Sequence, residues 1–245
     1  MTDLGWVGLI RHGESTGNVA REEAESGGLE VIDILERDAD VPLSDRGEEQ
    51  ALAVGRWLAE LPPAQRPDVV VSSPYRRAMD TARLALEQVE GYRPTFIVDE
   101  RLRDRELGVL DLLTTHGVAE RYPDELIRKR RLGKFYYRPP GGESWADVAL
   151  RLRTLFADLT LAHRGERVLL FAHEMTAYLL RYLLEGVPEP ELLAGARATV
   201  VANGSLTAWE RHGDGYSLVN EHETQHLQEH GAQPTETEDA STRSA

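Results

Sequence analysis

Short apolar runs alternate with longer amphipathic stretches along most of the chain. The runs are only a few residues long, are rich in branched and aromatic side chains and are bounded by turn residues, which predicts buried strands. They span residues 6–10, 68–72, 95–98 and 167–172. Residues 200–210 and 216–219 predict two further strands near an edge of the sheet.

The stretches between these runs predict helices. The clearest is residues 145–159, which carries one apolar stripe and begins after Ser144, with Asp147 placed for a capping box. Further helices are predicted after Ser44, after Ser73-Pro74 as cap and first helical residue, and over residues 174–185. Strands that alternate with helices indicate an α/β fold, a three-layer α/β/α sandwich around a mainly parallel, mixed sheet.

The pattern predicts one domain over residues 1–227, with two excursions from the sheet. Residues 21–40 are acidic and poorly periodic, and residues 114–142 hold a basic run; either excursion is placed to cover a site at the sheet edge. Residues 228–245 are polar without periodicity, which predicts a disordered tail.

Composition narrows the function classes. The 245 residues carry a net charge of −14, which argues against nucleic-acid binding and against anionic membrane surfaces. Cysteine is absent, which excludes disulfides and a thiolate nucleophile. With no signal-peptide pattern and no apolar run approaching roughly 18 residues, we expect a cytoplasmic protein. The oligomeric state stays open, although an edge strand near residues 200–210 would allow a homodimer.

Charged and imidazole side chains follow each of the four main predicted strands. In chain order they are Arg11-His12, Arg76-Arg77, Asp104 and His173. Sheets of this kind bind ligands beyond the carboxyl ends of their strands, so we expect these groups to converge. Arginines bind phosphoryl oxygens in bidentate fashion, a histidine nitrogen can attack phosphorus, and a carboxylic acid can protonate the leaving oxygen. With this much fixed positive charge, no metal is needed to stabilise the transition state.

The same segments resemble the histidine phosphatase superfamily, which includes cofactor-dependent phosphoglycerate mutase. Its signature is matched by Arg-His-Gly-Glu-Ser at residues 11–15 and its second block by residues 72–82. Leu-Arg-Asp at residues 102–104, Gly-Glu-Ser at 142–144 and Phe-Ala-His at 171–173 follow in the family's order.

The resemblance implies a role for each matching residue. It makes His12 the phosphohistidine, with Arg11, Arg77 and His173 holding the phosphoryl group and Asn18 assisting. Arg77 is the pocket residue of its block because it precedes the alanine, which leaves Arg76 as a surface residue.

Two departures from the family pattern bear on the chemistry. Asp104 stands where the family usually has a glutamate as proton donor, and Glu106 is an alternative acid. Glu174 replaces the usual glycine after the second histidine, which predicts a more acidic rim to the pocket.

The predicted function is a metal-independent phosphomonoesterase, a phosphoric monoester hydrolase that needs no cofactor and acts on a small phosphorylated substrate. The alternatives are phosphotransfer of the cofactor-dependent phosphoglycerate mutase type and a noncatalytic phosphate-binding protein. The Glu-Met that follows His173 and the lack of a longer insertion before residues 142–144 favour the phosphatase.

Two clusters outside these motifs have a simpler interpretation. The basic and aromatic run from residue 128 to residue 138 is typical of a solvated face, although Arg130 or Arg138 would suit a second anionic group of the substrate. His222, His226 and His230 are spaced for one face of a helix, but no supporting residues accompany them, so we predict a solvated tail and no metal.

Overall fold

The structure, a computed structural model, describes residues 3–237 together with Asp239 and Thr242. Its strands form one mixed sheet in the order β3-β2-β4-β1-β5-β6. They are β1 (Trp6–Arg11), β2 (Val69–Ser72), β3 (Thr95–Val98), β4 (Arg167–Ala172), β5 (Leu206–His212) and β6 (Gly215–Glu223). The first four strands pair in parallel, and β5 and β6 pair antiparallel beside β1.

Helices connect the strands and cover both faces of the sheet. They are α1 (Thr16–Ser26), α2 (Asp45–Glu60), α3 (Arg76–Glu87), α4 (Thr115–Arg121), α5 (Pro123–Leu132), α6 (Trp145–Ala162), α7 (Glu174–Leu180), α8 (Glu189–Ala198) and α9 (Gln225–Glu229). A short π-helical turn, Arg181–Glu185, continues α7. Within residues 3–237 no helix is both long and apolar enough to cross a membrane.

Two apolar cores lie on opposite faces of the sheet because side chains alternate along each strand. Leu9 of β1 faces the core built on α6, whereas Ile10 faces the core built on α2 and α3. The predicted stripe of α6 is buried, and Ser144 and Asp147 form the predicted capping box. The three-layer α/β/α prediction is therefore confirmed.

Some local predictions differ from the structure. Ser73 does not cap α3, which begins at Arg76 without a side-chain cap; the Ser73 hydroxyl instead contacts His173. Residues 200–210 do not supply a free edge, because β5 is paired on both sides and β6 is the edge strand. The first part of the excursion at residues 21–40 is the end of α1.

The tail, predicted to be disordered, packs against the domain wherever the structure describes it. Ala232 is buried in the core that contains α2, and the Thr235 carbonyl accepts from the Asn203 amide at 2.9 Å. The Gln50 side chain donates to the Gln233 carbonyl at 2.8 Å. Because these contacts use backbone carbonyls, they leave no hydrophobic periodicity in the sequence. The rest of the predicted tail, residues 238, 240–241 and 243–245, lies outside the described residues.

The three histidines that were considered for a metal stripe lie on different elements. His222 is in β6, whereas His226 is in α9, where it is buried and bonds to the Gly204 carbonyl at 2.9 Å. His230 follows α9. These positions do not form the helical stripe that their spacing suggested, and they are not the solvated tail that was predicted.

Candidate active site

His12 lies immediately after β1, fully buried, with its amide bonded to the Ala172 carbonyl at 2.9 Å. Its Nδ1 lies 2.8 Å from the Gly13 carbonyl. A carbonyl only accepts, so Nδ1 carries the proton and Nε2 presents a lone pair. Among the described residues Nε2 has no hydrogen-bond partner. Burial is the main cause that lowers the pKa of His12, so the ring is neutral near pH 7 and Nε2 is nucleophilic.

Glycines bring the segment after His12 against the start of α2. A Cβ on Gly13 would lie 2.4 Å from the Gly47 carbonyl oxygen, and a Cβ on Gly47 would lie 1.9 Å from the Glu14 carbonyl oxygen. Real Cβ atoms do not approach oxygen so closely, so both positions require glycine for contact rather than for backbone freedom. The Gly13 amide also donates to the Thr81 hydroxyl of α3 at 3.0 Å. These contacts fix the path of the chain just after β1, and with it the position of His12.

His173 lies at the end of the neighbouring strand β4, and its ring is 5.2 Å from that of His12 between centroids. Its Nε2 bonds to the Ser73 hydroxyl at 2.9 Å, while Nδ1 faces the Asp104 Oδ2 at 3.7 Å. Burial, with a further contribution from the charge of Arg77, holds the pKa of His173 well below its usual range. The two histidines are therefore neutral together in the buried pocket.

Arg77, in the first turn of α3, reaches the site from the other side. Its guanidinium bonds to Asp38 at 2.8 Å and lies 3.4 Å from the Asp104 Oδ2. It also stacks on the Tyr75 ring at 4.9 Å. Arg76, one residue earlier, is exposed and pairs with Asp80. The structure thus separates the two arginines as the sequence predicts.

The two candidate acids occupy different environments. Asp104 is buried between Arg77 and His173, with its Oδ1 accepting from the Arg105 amide at 2.8 Å. Glu106 is exposed and accepts from the Tyr75 hydroxyl at 3.1 Å. Both carboxyl groups line the same cavity, but of the two only Asp104 lies next to His173.

Asp239 of the tail also enters the site, which the sequence analysis did not predict. Its Oδ1 lies 2.7 Å from the Arg11 guanidinium and accepts from the Asn18 amide group at 3.2 Å. Its Oδ2 accepts from the Glu174 backbone amide at 3.1 Å and lies 3.7 Å from the His12 Nε2. Although burial opposes ionisation, the charge of Arg11 holds the pKa of Asp239 well below its usual range.

Glu174, the first residue of α7, holds the same tail segment. It is buried, and its carboxylate accepts from the Asp239 amide at 2.9 Å and from the Val201 amide at 3.3 Å. Burial raises the pKa of Glu174 to about 7. The unusual glutamate after the second histidine was the one sequence signal near this contact, and its side chain binds the tail instead of forming an open acidic rim.

The cavity beside Asp239 has a volume of about 80 Å³. Arg21, Arg77 and Arg105 are among its lining residues, and Asp38 of the excursion at residues 21–40 closes one side. Arg138 instead pairs with Asp147 at the surface, and Arg130 is exposed on α5. Neither Arg130 nor Arg138 is among the residues that line this cavity.

A metal would have one candidate group of ligands in the part of the chain that the structure describes. His12, His173 and Asp239 offer ligand atoms within 4.8 Å of one another. However, the Arg11 guanidinium already binds the Asp239 carboxylate, and the charge of Arg77 acts on both histidines. Two fixed cations beside the cluster favour an anion over a metal ion.

Two neutral histidines, two arginines and a carboxyl group lie near the ends of the parallel strands. Such a set of groups can bind a phosphoryl group and transfer it. Residues 7–224 match the family model of the histidine phosphatase superfamily (branch 1), and the chain belongs to this family.

The relatives include two kinds of enzyme. The chain is 34% identical over 170 residues to 2,3-bisphosphoglycerate-dependent phosphoglycerate mutase 2 of Gloeobacter violaceus, covering 69% of this chain and 70% of that protein. It is 30% identical over 181 residues to 2,3-bisphosphoglycerate-dependent phosphoglycerate mutase of Methylorubrum populi, covering 73% and 78%. Among solved structures, a mycobacterial glucosyl-3-phosphoglycerate phosphatase in complex with VO3 has 28% identity and a TM-score of 0.68, covering 88% of this chain and 98% of that one.

Proposed function

We propose that this protein is a metal-independent phosphomonoesterase that forms a phosphohistidine on His12. The observation that carries the proposal is the buried, neutral His12, whose Nε2 points at a carboxylate bound by Arg11 and Asn18. A carboxylate held in this way marks where phosphoryl oxygens would bind. Arg11, Arg77, Asn18 and His173 would surround the phosphoryl group, and their charges and donors would stabilise the transition state.

The reaction would take two steps. His12 Nε2 attacks phosphorus, so that a P–N bond forms while the ester P–O bond breaks and the Asp104 carboxylic acid gives its proton to the leaving oxygen. Water then attacks the phosphohistidine, the Asp104 carboxylate takes the proton, and the P–N bond breaks to release orthophosphate. Asp104 is better placed than Glu106 for both proton transfers because it lies beside His173 and Arg77.

We further propose that the substrate carries a second anionic group, which would bind at the arginines of a cavity that is also lined by Asp38, Glu106 and Asp111. Arg105 and Arg21 line it outside the two histidines, and Arg105 is buried. Burial lowers the pKa of Arg105 to about 10, so the group remains cationic near neutral pH. A phosphoglycerate unit, which carries a carboxylate beside its phosphate, has the required chemistry and appears in the names of relatives of both kinds.

The second candidate is a mutase, favoured by the names of the curated relatives. Both activities would use the same phosphohistidine, and they differ in whether water or a phosphoglycerate takes the phosphoryl group. Hydrolysis is preferred because structural neighbours at 25–28% identity, covered over 98% or more of their length, include phosphatases.

The test is phosphate release from an aryl phosphate in excess chelator, with wild type, His12→Ala, Arg77→Ala and Arg76→Ala. We expect His12→Ala to lose activity by about a thousandfold or more and Arg77→Ala by about a hundredfold. The exposed Arg76 provides the matched control, and its variant should retain activity. No release by wild type, combined with isomerisation of a phosphoglycerate once 2,3-bisphosphoglycerate is added, would favour the mutase.

A further inference from the structure

The described end of the chain occupies the phosphoryl pocket. Arg11 donates to the Thr237 carbonyl at 2.6 Å and to the Asp239 carboxylate at 2.7 Å. It also donates to the Val201 carbonyl. A guanidinium engaged in this way cannot at the same time present its paired donors to a phosphoryl group.

The Asp239 carboxylate makes contacts that a phosphoryl group would need. It accepts hydrogen bonds from the Arg11 guanidinium, from the Asn18 side-chain amide and from the backbone amide of Glu174 at the start of α7. It also faces the Nε2 atom of His12. The carboxylate is buried with a side-chain exposure of 5%. Its position and the position of a phosphoryl group attached to His12 therefore overlap.

The tail is also held on its way to the pocket. Gln50 and Asn203 bind Gln233 and Thr235 at 2.8–2.9 Å, and the Asp239 amide donates to Glu174. Being part of the same chain, the segment is present at an effective concentration of the order of millimolar. A single carboxylate charge is nevertheless attracted to Arg11 less strongly than a phosphate dianion would be, so a phosphorylated ligand can displace it.

We propose that the C-terminal tail binds in the phosphoryl pocket as an intramolecular substrate mimic, with the Asp239 carboxylate in place of the phosphoryl group. Substrate or phosphate then binds only after the tail leaves. The inference rests on the proposed phosphoryl site. It adds that a segment of the same chain inhibits that site by competing with the substrate. Glu174 acts as a positioning residue for the tail, which accounts for a glutamate where the family usually has glycine.

The variant that tests the mimic is Asp239→Asn, which removes the charge and retains the shape. Its control is Glu236→Gln, which likewise replaces a carboxylate with an amide but at an exposed position of the tail. Calorimetric titration with inorganic phosphate should give a dissociation constant about tenfold lower for Asp239→Asn than for wild type, because the competent state is more populated. Glu236→Gln should match wild type. Equal or weaker phosphate binding by Asp239→Asn would overturn the proposal.

Steady-state kinetics with an aryl phosphate give a second readout. A competing tail raises KM without changing kcat, so Asp239→Asn should lower KM about tenfold at constant kcat. A loss of kcat would instead make Asp239 part of the reaction machinery and contradict the mimic. Because phosphate binding is measured without turnover, failure of the proposed hydrolysis and failure of the mimic can be told apart.

Hydrogen exchange of wild-type protein tests displacement without any substitution. Ligands ordinarily slow exchange near their site, whereas a ligand that expels the tail should speed exchange of the peptide containing Thr235 and Asp239. Saturating inorganic phosphate should therefore accelerate exchange there, compared with chloride at equal ionic strength, and leave the edge strand β6 unchanged. Unchanged or slower exchange in the tail peptide would contradict the proposal.

Discussion

The chemistry at the residue scale depends on neutral imidazoles held among arginines. Burial removes the water that would stabilise an imidazolium, and the nearby guanidinium charges oppose a further positive charge. His12 is fixed in one tautomer by the Gly13 carbonyl, which directs the free lone pair into the pocket. Its surroundings thus keep His12, the proposed nucleophile, neutral and directed into the pocket.

The two candidate acids can be separated by the leaving group. For an alkyl phosphate, whose alcohol leaves poorly without a proton, Asp104→Asn should lower kcat/KM by about a hundredfold to ten-thousandfold. For an aryl phosphate with an acidic phenol the loss should be much smaller. Glu106→Gln, at an exposed position, should change neither rate by more than a few fold. The reverse ranking of the two variants would assign the proton transfer to Glu106.

Sequence reasoning placed the residues of the pocket that occur at strand ends. His12, Arg77, Asp104 and His173 follow β1, β2, β3 and β4, and parallel strands bring such positions together. Asp239 could not be predicted because it arrives from a polar tail with no periodicity. Its side-chain partners, Arg11 and Asn18, are residues that the family resemblance predicts to bind the phosphoryl group.

At the element scale, the approach of α2 to the end of β1 sets the position of His12. The Gly47 Cα lies so close to the Glu14 backbone that even one methyl group must push the two segments apart. The N-terminus of α2 is capped by Ser44, whose hydroxyl accepts from the Gly47 amide at 3.1 Å. The start of α2 is therefore fixed by the Ser44 cap and packs closely against the Glu14 backbone.

Gly47→Ala should destabilise the protein by about 1–3 kcal/mol because the contact is overpacked, and it should lower kcat by displacing His12. Gly195→Ala is the matched control, since Gly195 lies in α8 with no atom within 4 Å of an added Cβ. That change should stabilise the protein by up to about 1 kcal/mol. Thermal or denaturant unfolding together with aryl phosphate kinetics measures both effects. Equal stability of the two variants would show that the close contact has no energetic weight.

Three of the four predicted helix starts agree with the structure, and α3 is the exception. β3 and β4 have the bounds predicted from their apolar runs. The start of α3 was wrong because Ser73-Pro74 has the residue types of a cap, yet its hydroxyl is used by His173. A local capping signal cannot reveal a tertiary partner one hundred residues away in the chain.

For the whole molecule, buried ionisable groups in one pocket make stability depend on pH. Burial, the main cause, raises the pKa of Glu174 from 4.5 to about 7, so the folded state holds a proton that the unfolded chain releases. Its stabilising contribution is complete below about pH 4.5 and is lost as pH rises toward about 7. The lowered pKa values of His12 and His173 act with the opposite sign, since they favour the folded state at higher pH.

Glu174→Gln isolates the first of these contributions because glutamine does not titrate. The difference in free energy of unfolding, wild type minus variant, should fall between about pH 5 and about pH 8 by no more than about 3 kcal/mol. The histidine contributions are common to both proteins and cancel in the difference. Denaturant unfolding at several pH values measures it, and parallel profiles would contradict a raised pKa at Glu174.

The most direct measurement of the central claim is detection of phosphate bound to His12. Wild-type protein mixed with an aryl phosphate and quenched with alkali within the first turnover should carry one acid-labile phosphate. Peptide mapping should place that phosphate at His12, and His12→Ala should carry none. Phosphate release without any phosphoenzyme, or with a phosphoenzyme that persists in His12→Ala, would contradict the account.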